Sequence, residues 1–267
     1  MSNPEPAART ALSIDGHGVA HLRLTRPDKM NALDPAMIAA LMTAGDDLSA
    51  MAGLRAVVIS GEGRAFCAGL DLASISSGGG ITDDLVTRTH GNANQFQQLA
   101  MQFRKLPVPV IAAVHGVCYG GGLQIAAGAD LRAVAPDSRL AVMELNWGIV
   151  PDMGHFALWR GLVRSDALRE LTYTAREFTG TQAHAMGFAT YVDADPLARA
   201  LAIAREMANK NPDAIRAAKR LFALSEDASE DVVLHAESAE QSRLLGSANQ
   251  IEAVTSTMAG RAPQFED

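Results

Sequence analysis

Two glycine-containing stretches carry the strongest chemical signal in the chain: Ala65-Phe66-Cys67-Ala68-Gly69-Leu70-Asp71-Leu72 and His115-Gly116-Val117-Cys118-Tyr119-Gly120-Gly121-Gly122-Leu123-Gln124. Each follows an apolar run that reads as a strand. Glycine lets the backbone turn sharply and approach a ligand closely, leaving amide N–H groups free to point into a pocket. Two such amides can grip an oxyanion. The second stretch also opens a helix, whose unpaired amides and positive dipole end favour negative charge beside Gly121. The same glycines equally suit plain tight turns, so spacing alone leaves both readings open.

Other chemistries lack their residues. No Gly-x-Gly-x-x-Gly follows the first strand with an acidic residue about 20 positions on, no Gly-Lys-Ser/Thr closes a phosphate loop, and no Gly-x-Ser-x-Gly elbow presents a serine. The seven histidines are scattered. His17 and His21 share a His-x-x-x-His spacing but straddle a predicted hairpin turn, so no metal is expected. With 30 acidic and 23 basic side chains, a formal charge of −7 and no long Lys/Arg run, nucleic acid is not an expected partner. Cys67 and Cys118 each lie in an apolar stretch, which fits buried reduced thiols and a cytoplasmic setting rather than a disulfide framework. The polar start and the lack of any run of about 18 apolar residues direct neither export nor membrane insertion.

The elements that must position these stretches follow from periodicity. Residues 11–14 and 19–24 alternate apolar and polar positions around Asp15-Gly16-His17-Gly18, a hairpin signal. Asp34 and Pro35 provide an N-cap and an N1 proline ahead of Met37, Ile38, Leu41, Met42 and Leu48, an amphipathic helix. Strands are expected at 57–59, 110–114, 130–135 and 139–142, a loop at 74–80, a helix near 83–105 and another from about 121 to 127. Alternating strands and helices indicate an α/β class. Beyond residue 195 only helices are expected, at 196–209, 212–224, 230–245 and 249–260. The reading is a core over 1–195 and a helical region over 196–267.

The runs at 64–72, 115–124 and 144–154, together with Arg26-Pro27-Asp28-Lys29-Met30-Asn31-Ala32-Leu33 and the terminal Gly260-Arg261-Ala262-Pro263-Gln264-Phe265, resemble the signatures of the crotonase (enoyl-CoA hydratase/isomerase) superfamily, in order and in separation. The likeness covers nearly the whole chain. It implies a crotonase-like spiral of β-β-α units with a C-terminal all-helical trimerisation region, an acyl-CoA thioester substrate, no separate cofactor, and a homotrimer or homohexamer. It implies that the amides of Leu70 and Gly121 hold the thioester oxygen. Arg26, Lys29, Ala68, Asp71 and Leu72 would meet the coenzyme A portion, and Trp147, with Leu123 and Ile149, would line an apolar pocket.

The resemblance also bears on the reaction. Family hydratases place glutamates at the positions of Gln124 and Glu144, and this chain keeps only the second. A glutamine orients a partner but does not exchange protons near neutral pH. Glu144 matches the single acid/base of family enoyl-CoA isomerases, and Asp152 matches an aspartate of dienoyl-CoA isomerases. Asp152 also suits an N-cap of the helix that follows. The expected activity is enoyl- or dienoyl-CoA double-bond isomerisation. The alternatives are 2-enoyl-CoA hydration with Glu144 as acid/base, and acyl-CoA binding without turnover.

Overall fold

The computed structural model describes residues 8–76 and 84–267. The hairpin β1 (Thr10–Ile14) and β2 (Val19–Leu24) opens a six-stranded sheet that continues with β3 (Ala56–Gly61), β5 (Val110–Val114), β7 (Leu131–Val134) and β10 (Tyr191–Val192). Only the β1–β2 pair is antiparallel. The second sheet holds β4 (Ala65–Cys67), β6 (Val117–Tyr119), β8 (Arg139–Ala141) and β9 (Phe178–Thr179), the first three mutually parallel.

The chain alternates between the sheets: β3 then β4, β5 then β6, β7 then β8. Each pair puts a largely buried strand in the large sheet and a short strand in the small one, then departs into a helix. Helix α1 (Pro35–Ala50) starts as expected, with the Asp34 side chain accepting from Met37 N. Helix α4 (Gly121–Ala127) is wholly buried, and its Gly122 is required by packing: a Cβ there would lie 2.7 Å from Cys67 Cβ and 2.4 Å from Cys67 O.

Two expectations need correction. Of the loop expected at 74–80, the first residues belong to a short helix, α2 (Leu72–Ser76), and the rest lies outside the described residues. The helix expected from residue 83 begins only at Gln95, as α3 (Gln95–Lys105), because a turn with Gly91 at φ +68° precedes it and Asn94 with Gln97 forms a reciprocal capping box. Helices α5 (His155–Trp159), α6 (Ser165–Thr174) and α7 (Gly180–Met186) follow the small sheet.

The helices after residue 195 form as read: α8 (Pro196–Ala208), α9 (Pro212–Ser225), α10 (Glu230–Leu244) and α11 (Ala248–Met258). Ala200, Ile203 and Ala204 of α8 pack on Val58, Ile111 and Ala133 of the large sheet. By contrast α10 has no buried residue, and Val232, Leu234, Ile251, Val254 and Met258 stand exposed along α10 and α11.

Candidate active site

The three parallel strands of the small sheet end side by side: after a register shift between Ala65 and Cys67, Cys67 lies beside Cys118, and Cys118 lies beside Leu140. Their carboxyl ends therefore deliver three consecutive loops to one place: Ala68 to Asp71 after β4, Gly120 and Gly121 after β6, and Val142 to Glu144 after β8. In parallel sheets this end is where ligands bind. The separate stretches of sequence meet because each is the same step of a repeated unit.

Neither the Leu70 amide nor the Gly121 amide donates to a protein acceptor among the described residues. Their neighbours do. Ala68 N donates to Met30 O (2.9 Å), Asp71 N to Leu33 O (3.0 Å), Gly120 N to Ala141 O (3.0 Å) and Gln124 N to Gly120 O (3.0 Å). Leu33 N donates to Gly69 O (2.8 Å), and in a trans peptide the following N–H points opposite to that carbonyl, so the Leu70 amide faces away from Leu33. Gly69 (φ +83°) brings the two arms together, since a Cβ there would sit 2.7 Å from Tyr119 O and 3.4 Å from Gly121 N.

Glu144 opens a 3-10 turn, Glu144–Trp147, and is buried at 8% exposure. Its Oε1 accepts from Gln124 Nε2 at 2.6 Å, while its Oε2 is buried without a hydrogen-bond partner among the described residues. Gln124, itself 2% exposed, accepts at Oε1 from Met153 N over 2.7 Å. The glutamine thus braces the carboxylate against the segment that carries Asp152. Burial raises the Glu144 carboxyl above its ordinary range; nearby amides and Gln124 oppose this, and the charge of Asp152 adds to it. Gly120 (φ +48°) leaves the space for this carboxylate: a Cβ there would come 3.3 Å from Glu144 Oε1.

Asp152 keeps a solvent-exposed surface, yet desolvation in its recess raises its carboxyl too. It does not cap the next helix. Gly154 in the left-handed region holds that position for α5, with no side-chain cap, so the Asp152 carboxylate is not a helix cap, and the backbone bond that holds its pKa down is from its own residue.

The residues assigned to the coenzyme A portion divide. Lys29 and Leu72 are exposed, and Ala68 is half-buried with its amide in use. Arg26 and Asp71 face each other, Nη1 to Oδ2 at 2.7 Å, and Arg26 also reaches Asp34 (3.4 Å) and Ala32 O (3.0 Å). Their charges tie the 26–34 loop to the Leu70 loop. Trp147 is 58% exposed, and Ile149 and Val150 beside it are also exposed, whereas Leu123 is core. A residue not singled out by type is Asn31, fully buried at φ +54°, whose Nδ2 donates to Glu62 O, Ala65 O and Phe66 O and whose Oδ1 accepts from Arg26 N. The signal was available: Asn tolerates the left-handed region, and Asn31 sits inside the run from Arg26 to Leu33.

The family pattern described as Enoyl-CoA hydratase/isomerase matches residues 15–267. The chain belongs to that family. Among members of this enoyl-CoA hydratase/isomerase family, it is 33% identical over 225 residues to the mitochondrial Delta(3,5)-Delta(2,4)-dienoyl-CoA isomerase of Pongo abelii, covering 78% of this chain and 66% of the relative. The matched region thus spans just under two thirds of that relative. A Bacillus subtilis (strain 168) protein named "Probable enoyl-CoA hydratase" is 31% identical over 96% of this chain and 98% of its own length. The crystal structure of an enoyl-CoA hydratase from Mycobacterium smegmatis superposes with a TM-score of 0.83 at 28% identity, covering 97% of this chain and 99% of that one. These likenesses agree with the mixed α/β fold of largely parallel sheets and C-terminal helices described above.

Proposed function

We propose that this member of the enoyl-CoA hydratase/isomerase family moves double bonds in enoyl- or dienoyl-CoA thioesters. The observation that carries the reading is the Gln124 brace: one buried carboxylate, Glu144, is held with a free Oε2 where a hydratase-type pair would need a second carboxylate. The Leu70 and Gly121 amides bind the thioester oxygen and stabilise the enolate as a proton leaves the α carbon. A carboxylate of raised pKa takes that proton and a carboxylic acid returns one further along the chain. Shifting a 3,5-diene to a 2,4-diene removes a proton at C2 and adds one at C6, and Glu144 with Asp152 supplies two carriers for two separated carbons. Lys29, Ala68 and Leu72 meet the coenzyme A portion. Trp147 and Ile149 flank the acyl chain, while Arg26 and Asp71 shape the loop. No separate cofactor takes part.

Hydration of 2-enoyl-CoA is the second reading, favoured by the Bacillus subtilis relative's name and coverage. It would rest on Glu144 alone, because Gln124 already spends its carbonyl on Met153 N and one N–H on Glu144. Assays with 3-enoyl-, 3,5-dienoyl- and 2-enoyl-CoA on one preparation decide between the two. Isomerised product with no 3-hydroxyacyl-CoA supports the first reading, and the reverse pattern removes it.

The exposed apolar side chains of α10 and α11 support assembly through the 196–267 region into a homotrimer or homohexamer. Two buried unpaired thiols suit a reducing cytoplasm. No helix among the described residues is long and apolar enough to cross a membrane.

A further inference from the structure

The Gly69 amide has an unusual partner. Where Phe66, Ala68 and Asp71 donate to backbone carbonyls, Gly69 N donates to the Cys67 thiol, with Sγ at 3.4 Å. The same thiol donates to Asn31 O at 3.1 Å. It is fully buried, and burial pushes it up to about 12, so it keeps the proton that this second bond needs. Cys67 also forms the wall against which Gly122 of α4 packs. It therefore touches the Asn31 loop, the peptide leading into Leu70 and the helix that begins at Gly121.

We propose that Cys67 is a positioning residue for the oxyanion hole: its thiol, accepting from Gly69 N while donating to Asn31 O, fixes the turn that leaves the Leu70 amide unpaired and aimed at the thioester oxygen. Gly69 O is already held by Leu33 N, so the thiol supplies the second point that sets the orientation of the Gly69–Leu70 peptide. Without it Gly69 N is a buried donor free to rotate towards another acceptor. Cys118 provides the internal control. It lies beside Cys67 in the same sheet, equally buried, with no hydrogen bond to either arm among the described residues.

The role of Cys67 in turnover rests on the isomerase or hydratase reading, and its geometric role does not. The test compares Cys67→Ala, Cys67→Ser and Cys118→Ala by kcat, KM, thermal midpoint and hydrogen exchange of the Gly69 amide in the free protein. Cys67→Ala is expected to lower kcat about tenfold with KM within about twofold, and to speed Gly69 exchange. Cys67→Ser, which keeps a donor and an acceptor, restores kcat to within about threefold of wild type. Cys118→Ala holds wild-type kcat whatever its thermal midpoint. Equal kcat for Cys67→Ala and Cys118→Ala, or no recovery with serine, overturns the proposal. A wild type without turnover removes the functional reading instead, and Gly69 exchange then decides: unchanged in Cys67→Ala, it overturns the proposal.

Discussion

The Gln124 side chain donates to Glu144 Oε1 at 2.6 Å and accepts from Met153 N at 2.7 Å. This single amide orients the buried carboxylate and anchors the backbone next to Asp152. Glutamate at 124 would keep the bond from Met153 N but set two carboxyl groups side by side, which holds a proton between them. Gln124→Glu should lower the isomerisation rate and shift the acid limb of the pH–rate profile upwards. A profile that does not move would show that residue 124 does not govern the charge state of Glu144.

Glu144 has a raised carboxyl pKa, and its basic form is required, so kcat/KM should fall as pH drops through a value above the ordinary glutamate range. Glu144→Gln should lower kcat by about 100-fold or more. Its effect on stability has the opposite sign. The folded state holds the Glu144 proton more tightly than the unfolded state does, so the native carboxylate costs stability progressively above the unfolded pKa. The variant should therefore match or exceed the wild-type thermal midpoint at pH 7, with the gain vanishing towards pH 4.

Gly120 combines φ +48° and ψ −117° with a close approach of the Glu144 carboxylate, 3.3 Å from where a Cβ would sit. Gly120→Ala places a Cβ in strained backbone and against Oε1, at a cost of about 1–3 kcal/mol. Denaturant unfolding should report that loss, and turnover should fall with it because both the Gly121 amide and Glu144 are displaced.

His155 is buried, has no partner at Nδ1 among the described residues, and is pushed down to about 4 by desolvation. Below pH 6.5 the unfolded chain takes up a proton that the folded chain refuses until about pH 4. Stability is thus lost as pH falls across that window, by about 3 kcal/mol in all. His155→Gln should flatten the pH dependence there, as measured by urea unfolding at pH 7 and pH 4.5.

The first five strands of the large sheet in chain order, β1, β2, β3, β5 and β7, with the Asp34 cap and the four terminal helices, were legible because each carries enough residues to show a period or a cap. The strands β4, β6, β9 and β10 were not: two or three residues show no alternation, and each is a strand only because a neighbour from a distant segment lies beside it. The chemistry followed the same division. The glycines and Glu144 could be read locally, whereas the Arg26 pairing with Asp71, the Asn31 hub and the Asp152 carboxylate left uncapped by Gly154 depend on contacts between distant segments.

Asn31 saturates three backbone carbonyls from a fully buried site. Asn31→Ala should destabilise the protein by about 3 kcal/mol or more, since those carbonyls lose a donor in a place water does not reach. Arg26→Ala should act on the same loop by leaving Asp71, whose carboxyl is held low by the Arg26 guanidinium against an opposing desolvation, without its partner.

The proposed reaction relocates a proton without adding water. It is tested most directly by incubating the protein with 3-enoyl-CoA and 3,5-dienoyl-CoA in heavy water and weighing the products. Conjugated 2-enoyl or 2,4-dienoyl product carrying deuterium, at the starting mass apart from that exchange, is the predicted result. A product heavier by one water, or recovery of both substrates unchanged and undeuterated, would contradict it.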